Sequence, residues 1–152
     1  MDDVFAWPDA AHAVRVTVRL FVASALGGVI GLEREITGKA AGLRTHMLVA
    51  LGAAVFTLAP HEAGMSIGDL SRVFQGLIAG IGFIGAGAIL KLPPEERILG
   101  LTTAASIWLT AAVGSAVAVG ALWLPVLAVG MAVAILLVVG RAERNTDGRM
   151  QT

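Results

Sequence analysis

No charged residue lies between Arg97 and Arg141. A helix crosses the hydrocarbon of a bilayer with roughly 20 apolar residues, so this run is too long for one span and suits two. Other uncharged runs extend from Val73 to Leu90, from Thr45 to Pro60 and from Leu20 to Leu32. The last is short and reaches span length only if Val14, Val16 and Val18 join it. Arg15 and Arg19 then lie in its first turns and must snorkel to the headgroups. Composition agrees, with 57% hydrophobic and 14% charged residues, against about 25% charged in soluble domains. Too few polar side chains are present to cover a soluble surface.

The fold class expected is therefore all-α, a polytopic transmembrane bundle of about five spans at 14–32, 44–60, 72–90, 98–117 and 121–140. Connections fall at 33–43, 61–71 and 91–97. The final break lies near Gly114–Gly120, as a tight turn near 118–120, with Pro125 in the first turns of the fifth span. The tail from Arg141 is short and polar. Residues 1–152 read as one transmembrane domain with no soluble domain. Asp2, Asp3 and Asp9 argue against a basic signal-peptide leader, so the chain reads as mature from Met1. Trp7, Trp108 and Trp123 are the interfacial aromatics available, since tyrosine is absent. Trp108 lies too deep for an anchor and reads as a packing residue.

Basic residues set the orientation. Arg34, Lys39, Arg44, Lys91, Arg97, Arg141, Arg144 and Arg149 share one side. Arg15, Arg19 and Arg72 lie on the other with Asp2, Asp3, Asp9, Glu62 and Asp69. The N-terminus is expected outside and the C-terminus in the cytoplasm. A net charge of zero gives no field for nucleic acid. The absence of cysteine excludes thiol catalysis and Cys-ligated metals.

Two kinds of feature carry the functional expectations. One is glycine patterning: Gly27 and Gly31 in the first span, Gly76 and Gly80 in the third, then Gly82, Gly85 and Gly87. Small residues at this spacing let helices approach closely in lipid. Gly80, Gly82 and Gly85 also spell G-x-G-x-x-G, but inside an apolar span with no following acid, so a dinucleotide site is rejected. The other feature is polar residues at span ends. Glu33, Arg34 and Glu35 close the first span, and Arg44, Thr45 and His46 open the second. They predict an inner-face network, with an ordinary solvated loop as the alternative. A magnesium site is weaker, because Glu33 and Glu35 point to different helix faces. At the outer face Asp69, Arg72 and Gln75 share a helical face, with Gln75 directed into the bundle and Arg19 as a partner for Asp69. Snorkelling of Arg19 alone is the competing reading. In the fourth span Thr102, Thr103 and Ser106, followed by Thr110, form a polar stripe. Such hydroxyls commonly bond their own helix carbonyls, and a stripe facing the bundle could line a small cavity.

Several of these segments, in order, resemble the MgtC/SapB family of bacterial inner-membrane proteins. They are Arg19-Leu20, Gly31 to Glu35, Ala41 to Val49, Asp69 with Ser71-Arg72, Gly80 to Gly87 and Gly100 to Trp108. The similarity covers roughly residues 15–140. It implies a multi-pass domain in the bacterial plasma membrane, a link to magnesium limitation and to survival in phagocytes, and contact with the ATP synthase. Virulence-type members carry a soluble domain after the last span, whereas this sequence stops at Thr152.

Three function classes remain open. A regulatory or interaction protein of the membrane, with no cofactor and with another membrane protein or a second copy as partner, fits the small-residue faces. A magnesium or other ion transporter fits the buried polar groups, yet no carboxylate falls in mid-span, where a divalent path would use one. An intramembrane enzyme would have to rest on His46 and lacks a serine–histidine pair at a plausible depth.

Overall fold

In a computed structural model the chain is described over residues 9–92 and 97–150, with side chains described at 9–66, 68–89 and 98–140. Trp7, Asp2, Asp3 and the side chains of Lys91, Arg97, Arg141, Arg144 and Arg149, which entered the orientation argument, lie outside the described residues. Five helices follow one another: α1 (Ala10–Ile36), α2 (Leu43–Glu62), α3 (Ile67–Gly87), α4 (Leu101–Val119) and α5 (Trp123–Met150). Each contains a stretch long and apolar enough to cross a membrane.

The boundaries differ from those read in the sequence, for identifiable reasons. Helix α1 starts at Ala10, where the Asp9 side chain accepts the His12 N–H at 2.6 Å. It runs past Glu33 to Ile36, and Thr37 closes it by donating its hydroxyl to the Glu33 carbonyl at 2.9 Å. Pro60 leaves the Phe56 carbonyl without its backbone partner and crowds it, yet α2 does not end there, because Pro60 falls in its last turn. The helix continues to Glu62 and stops at Gly64, whose φ is +76°. Helix α3 begins earlier than expected, capped by Ser66, which accepts the Asp69 N–H at 3.2 Å. The break after α4 is at Gly120, within the interval expected from the sequence. Helix α5 runs on to Met150, through the segment read as a tail.

Residues 90 and 98–99, placed in spans by hydropathy, instead form a small antiparallel ribbon. Strand β1 (Leu90–Leu92) pairs with β2 (Arg97–Leu99), Leu90 opposite Leu99. Gly100 turns the chain from β2 into α4. Its φ is +91°, and a Cβ there would stand 1.9 Å from the Ala88 carbonyl oxygen. Only glycine meets both demands.

Helix α4 is the centre of the bundle: 56% of its span is buried, against 11% for α3. Backbone contact at glycines brings α2 close to both α1 and α4. A Cβ on Gly27 would lie 2.7 Å from the Ala50 Cβ, and one on Gly114 would lie 2.1 Å from the Ala50 carbonyl oxygen. Ala50, fully buried on α2, is thus held between α1 and α4. Gly31 extends the same close approach, with Leu43 Cα 2.8 Å from its would-be Cβ. Apolar clusters fill the remainder, one around Ala23, Leu58 and Val117, another around Ile30, Val113 and Val129. Helices α3 and α5 flank this three-helix heart.

Candidate functional site

Buried polar side chains Glu33, Arg34, His46, Thr103 and Ser106 gather where α1 ends and where α2 and α4 begin. Glu33 and Arg34, in the last turns of α1, are 8% and 3% exposed. Arg34 Nη1 lies 3.5 Å from Glu33 Oε2. That contact balances charge, but it lacks hydrogen-bond geometry. Glu33 Oε2 and Arg34 Nε therefore stand without hydrogen-bond partners among the described residues. Buried polar atoms are normally partnered, so these two are exceptions that call for a reason.

Glu35 points elsewhere. Its Oε2 accepts the Leu43 N–H at 2.8 Å and so caps α2, whose own N-cap, Gly42, has no side chain to do so. A carboxylate is favourable at a helix N-terminus. Glu33 and Glu35 are thus separated, and no group of three His, Cys, Asp or Glu residues suited to a metal ion occurs among the described residues.

His46 is fully buried. Its Nδ1 faces the Gly42 carbonyl at 2.9 Å, and its Nε2 faces Ser106 Oγ at 3.1 Å. A carbonyl only accepts, so Nδ1 carries a proton. Ser106 Oγ also lies 2.8 Å from the Thr103 carbonyl, and its single proton serves either that carbonyl or His46 Nε2. Thr110 donates to the Ser106 carbonyl at 2.7 Å. Thr103, Ser106 and Thr110 form a continuous buried stripe, met by His46 from α2. Thr102 is exposed.

The single inner network expected from sequence is divided. Glu33 pairs with Arg34, Glu35 caps α2, and His46 turns inward to α4. Arg44 is exposed and Thr45 half-buried, and neither side chain joins Glu33, Arg34 or His46. Both leave the cluster because the first turn of α2 directs them away from α4.

At the opposite end the expected cluster is also corrected. Asp69 accepts from the Ser66 hydroxyl at 2.7 Å and does not meet Arg19. Arg19 donates to the Ala118 carbonyl at 3.1 Å, a cation at the C-terminus of α4. Arg72 and Gln75 are exposed. Gln75 does not enter the bundle, because α3 buries the stripe through Phe74, Leu77, Ile81 and Gly85 instead. Asp69, Arg72, Gly76, Gly80 and Gly87 lie on the outward face. A Cβ on Gly76, Gly80, Gly82 or Gly87 would meet nothing within 4 Å, whereas one on Gly85 would touch Ala104 at 3.5 Å. Trp108 is 49% exposed and borders a small apolar hollow with Phe74 and Ile78, so it is not a packed core residue.

Two features escaped the sequence reading. Gly114 was placed inside the fourth span but not singled out, although Gly114 and Ala118 form a small-x-x-x-small pair. The hydrogen bond between His12 and Glu62, joining the start of α1 to the end of α2, had no sequence signal, since the two residues are remote in the chain.

The MgtC family profile matches residues 20–145. Protein SrpB of Synechococcus elongatus is 45% identical over 119 residues, 71% of this chain and 65% of SrpB. Protein MgtC of Brucella abortus is 43% identical over 110 residues, 71% of this chain and 43% of that protein. YhiD of Escherichia coli K12, which carries a provisional magnesium-transporter label, is 42% identical over 110 residues, 68% of this chain and 50% of YhiD. The chain thus spans between 43% and 65% of the length of these relatives. No solved structure matches it. The family match runs from within α1 to within α5, and the chain belongs to the MgtC family, as a multi-pass protein of the bacterial inner membrane.

Proposed function

We propose that the protein is a non-enzymatic regulator that acts by helix-to-helix contact with another membrane protein. One observation carries this reading. The outward face of α3 bears Gly76, Gly80 and Gly87 with open space where each side chain would be, while Gly27, Gly31 and Gly114 are consumed by packing inside the bundle. Glycine weakens a helix and gains nothing from lipid. A bare small-residue stripe is useful when a second helix lies against it. The partner is a transmembrane helix of a different protein, and the family resemblance makes the membrane sector of the ATP synthase the first candidate. The Glu33 end faces the cytoplasm in this reading, and the described carboxylates all lie near helix ends. The test is capture of the ATP synthase with the tagged protein in mild detergent. Gly80→Leu should abolish co-purification while the protein still folds. Gly52→Leu, at an equally open glycine of α2, should leave it intact. Equal capture by both variants refutes the contact.

Ion transport is the second reading, favoured by the buried His46–Ser106 contact beside the Glu33 end. Magnesium dehydrates reluctantly, and three hydroxyls and an imidazole offer few oxygens. Liposomes holding a magnesium-sensitive dye should show no uptake that depends on the protein. Saturable uptake that disappears in Glu33→Gln would favour transport over contact.

A further inference from the structure

Three independent features converge on one pocket of about 590 Å³ at the Glu33 end. The first is the start of α4. Its cap residue is Gly100, with no side-chain cap bond, and its first turn contains no acid. The leading N–H groups of a 19-residue helix are therefore open, and they carry about half a positive charge. Thr102 and Thr103, in that first turn, line the pocket. The second is the pair of orphaned polar atoms. Arg34 Nε is a donor and Glu33 Oε2 an acceptor, both buried, both on residues lining the pocket, and neither hydrogen-bonded among the described residues. The third is the wall. Ile135, Leu136 and Val139 of α5 form an apolar side, and exposed Lys39 stands at the rim.

We propose that this pocket binds the phosphodiester headgroup of an anionic phospholipid from the leaflet at this end of the helices. Phosphate oxygens accept from the first-turn N–H groups of α4 and from Arg34 Nε, as anions do at helix N-termini. Lys39 adds charge at the rim. A headgroup hydroxyl donates to Glu33 Oε2, and an acyl chain lies along Ile135, Leu136 and Val139. The class of ligand follows from the lining. The described charged side chains are one carboxylate and two cations, a net positive site that suits a monoanion better than a zwitterion. Glu33 needs a hydrogen to accept, which a choline headgroup does not offer. The α5 wall has no role for free inorganic phosphate. This site is separate from the α3 face, and either proposal can fail without the other.

Native mass spectrometry of the full chain, offered equal amounts of phosphatidylglycerol and phosphatidylcholine, tests the assignment. Phosphatidylglycerol should be retained about five-fold or more over phosphatidylcholine, from the attraction expected of one basic residue. Lys39→Gln and Thr102→Asp should each lower that retention about five-fold. Both positions are exposed, so folding is preserved, and the new carboxylate of Thr102→Asp suits the helix while repelling phosphate. Arg44→Gln removes an exposed cation at the same end and should change nothing. Equal retention of the two lipids overturns the proposal, as does phosphatidylethanolamine binding as well as phosphatidylglycerol. An Arg44→Gln effect matching that of Lys39→Gln would mean diffuse attraction only. Displacement of the lipid by inorganic phosphate or glycerol phosphate would mean a soluble-anion site.

Discussion

Ala50 shows how little room the centre of the bundle allows. Its Cβ faces Gly27 and its carbonyl faces Gly114, so three backbones meet with only the Ala50 methyl group between them. A methyl group on Gly114 would lie 2.1 Å from a backbone oxygen. Backbone cannot swing aside as a flexible side chain can, so relief requires moving a helix. Overpacking of a tight core costs about 1–3 kcal/mol and occasionally more. Gly114→Ala should therefore sharply reduce the monodisperse fraction in detergent. Gly76→Ala, with open space at the same test position, should keep wild-type yield. Fluorescence-detected size exclusion of both variants gives the comparison, and equal yields would contradict the packing described here. The G-x-x-x-G at Gly27 and Gly31 was visible in the sequence as a small-residue spacing. Gly114 was not singled out, because one glycine in an alanine-rich span gives no spacing signal of its own, and only the register of three helices reveals its close crossing. The same limit applies to Arg44 and His46. Their nearness in sequence suggested one network, but positions two apart on a helix point to nearly opposite sides, and only His46 reaches α4.

The helices differ in what holds them. Five apolar stretches were legible because hydropathy measures exposure to lipid, and all five spans are present. Their ends were less legible, because capping is local chemistry. Asp9, Thr37 and Ser66 extend or close helices that hydropathy alone cut short. The ribbon of β1 and β2 was hidden because Leu90 and Ile98 are as apolar as the spans beside them. Position within the bundle was not legible at all. Helices α3 and α4 are both rich in small residues, mostly glycine in α3 and mostly alanine in α4, yet α4 is central and α3 peripheral. The contrast follows from partners. The small residues of α4 meet α2, while the outward glycines of α3 meet nothing in this chain. Orientation belongs to this scale too. Lys39 and Arg44 sit at the Glu33 end, and the acids Asp9, Glu62 and Asp69 at the other. A reporter fused after Arg141 should thus be active on the cytoplasmic side, and periplasmic activity there would reverse the assignment.

As a whole the molecule is a tight three-helix heart with polar chemistry at one end and a bare helix face on its flank. The heart explains why buried His46 and the α4 hydroxyls bond chiefly to one another and to backbone. The flank is where contact with another protein would be made. Phe83 stands on that outward face, 83% exposed, and Val138 on α5 is 66% exposed on another. The most direct measurement replaces each in turn with a photo-crosslinking amino acid in living cells. Contact through α3 predicts a discrete crosslink from position 83 to a single membrane protein other than a second copy, and none from position 138. Crosslinks to lipid alone from position 83, or the same products from both positions, would contradict it.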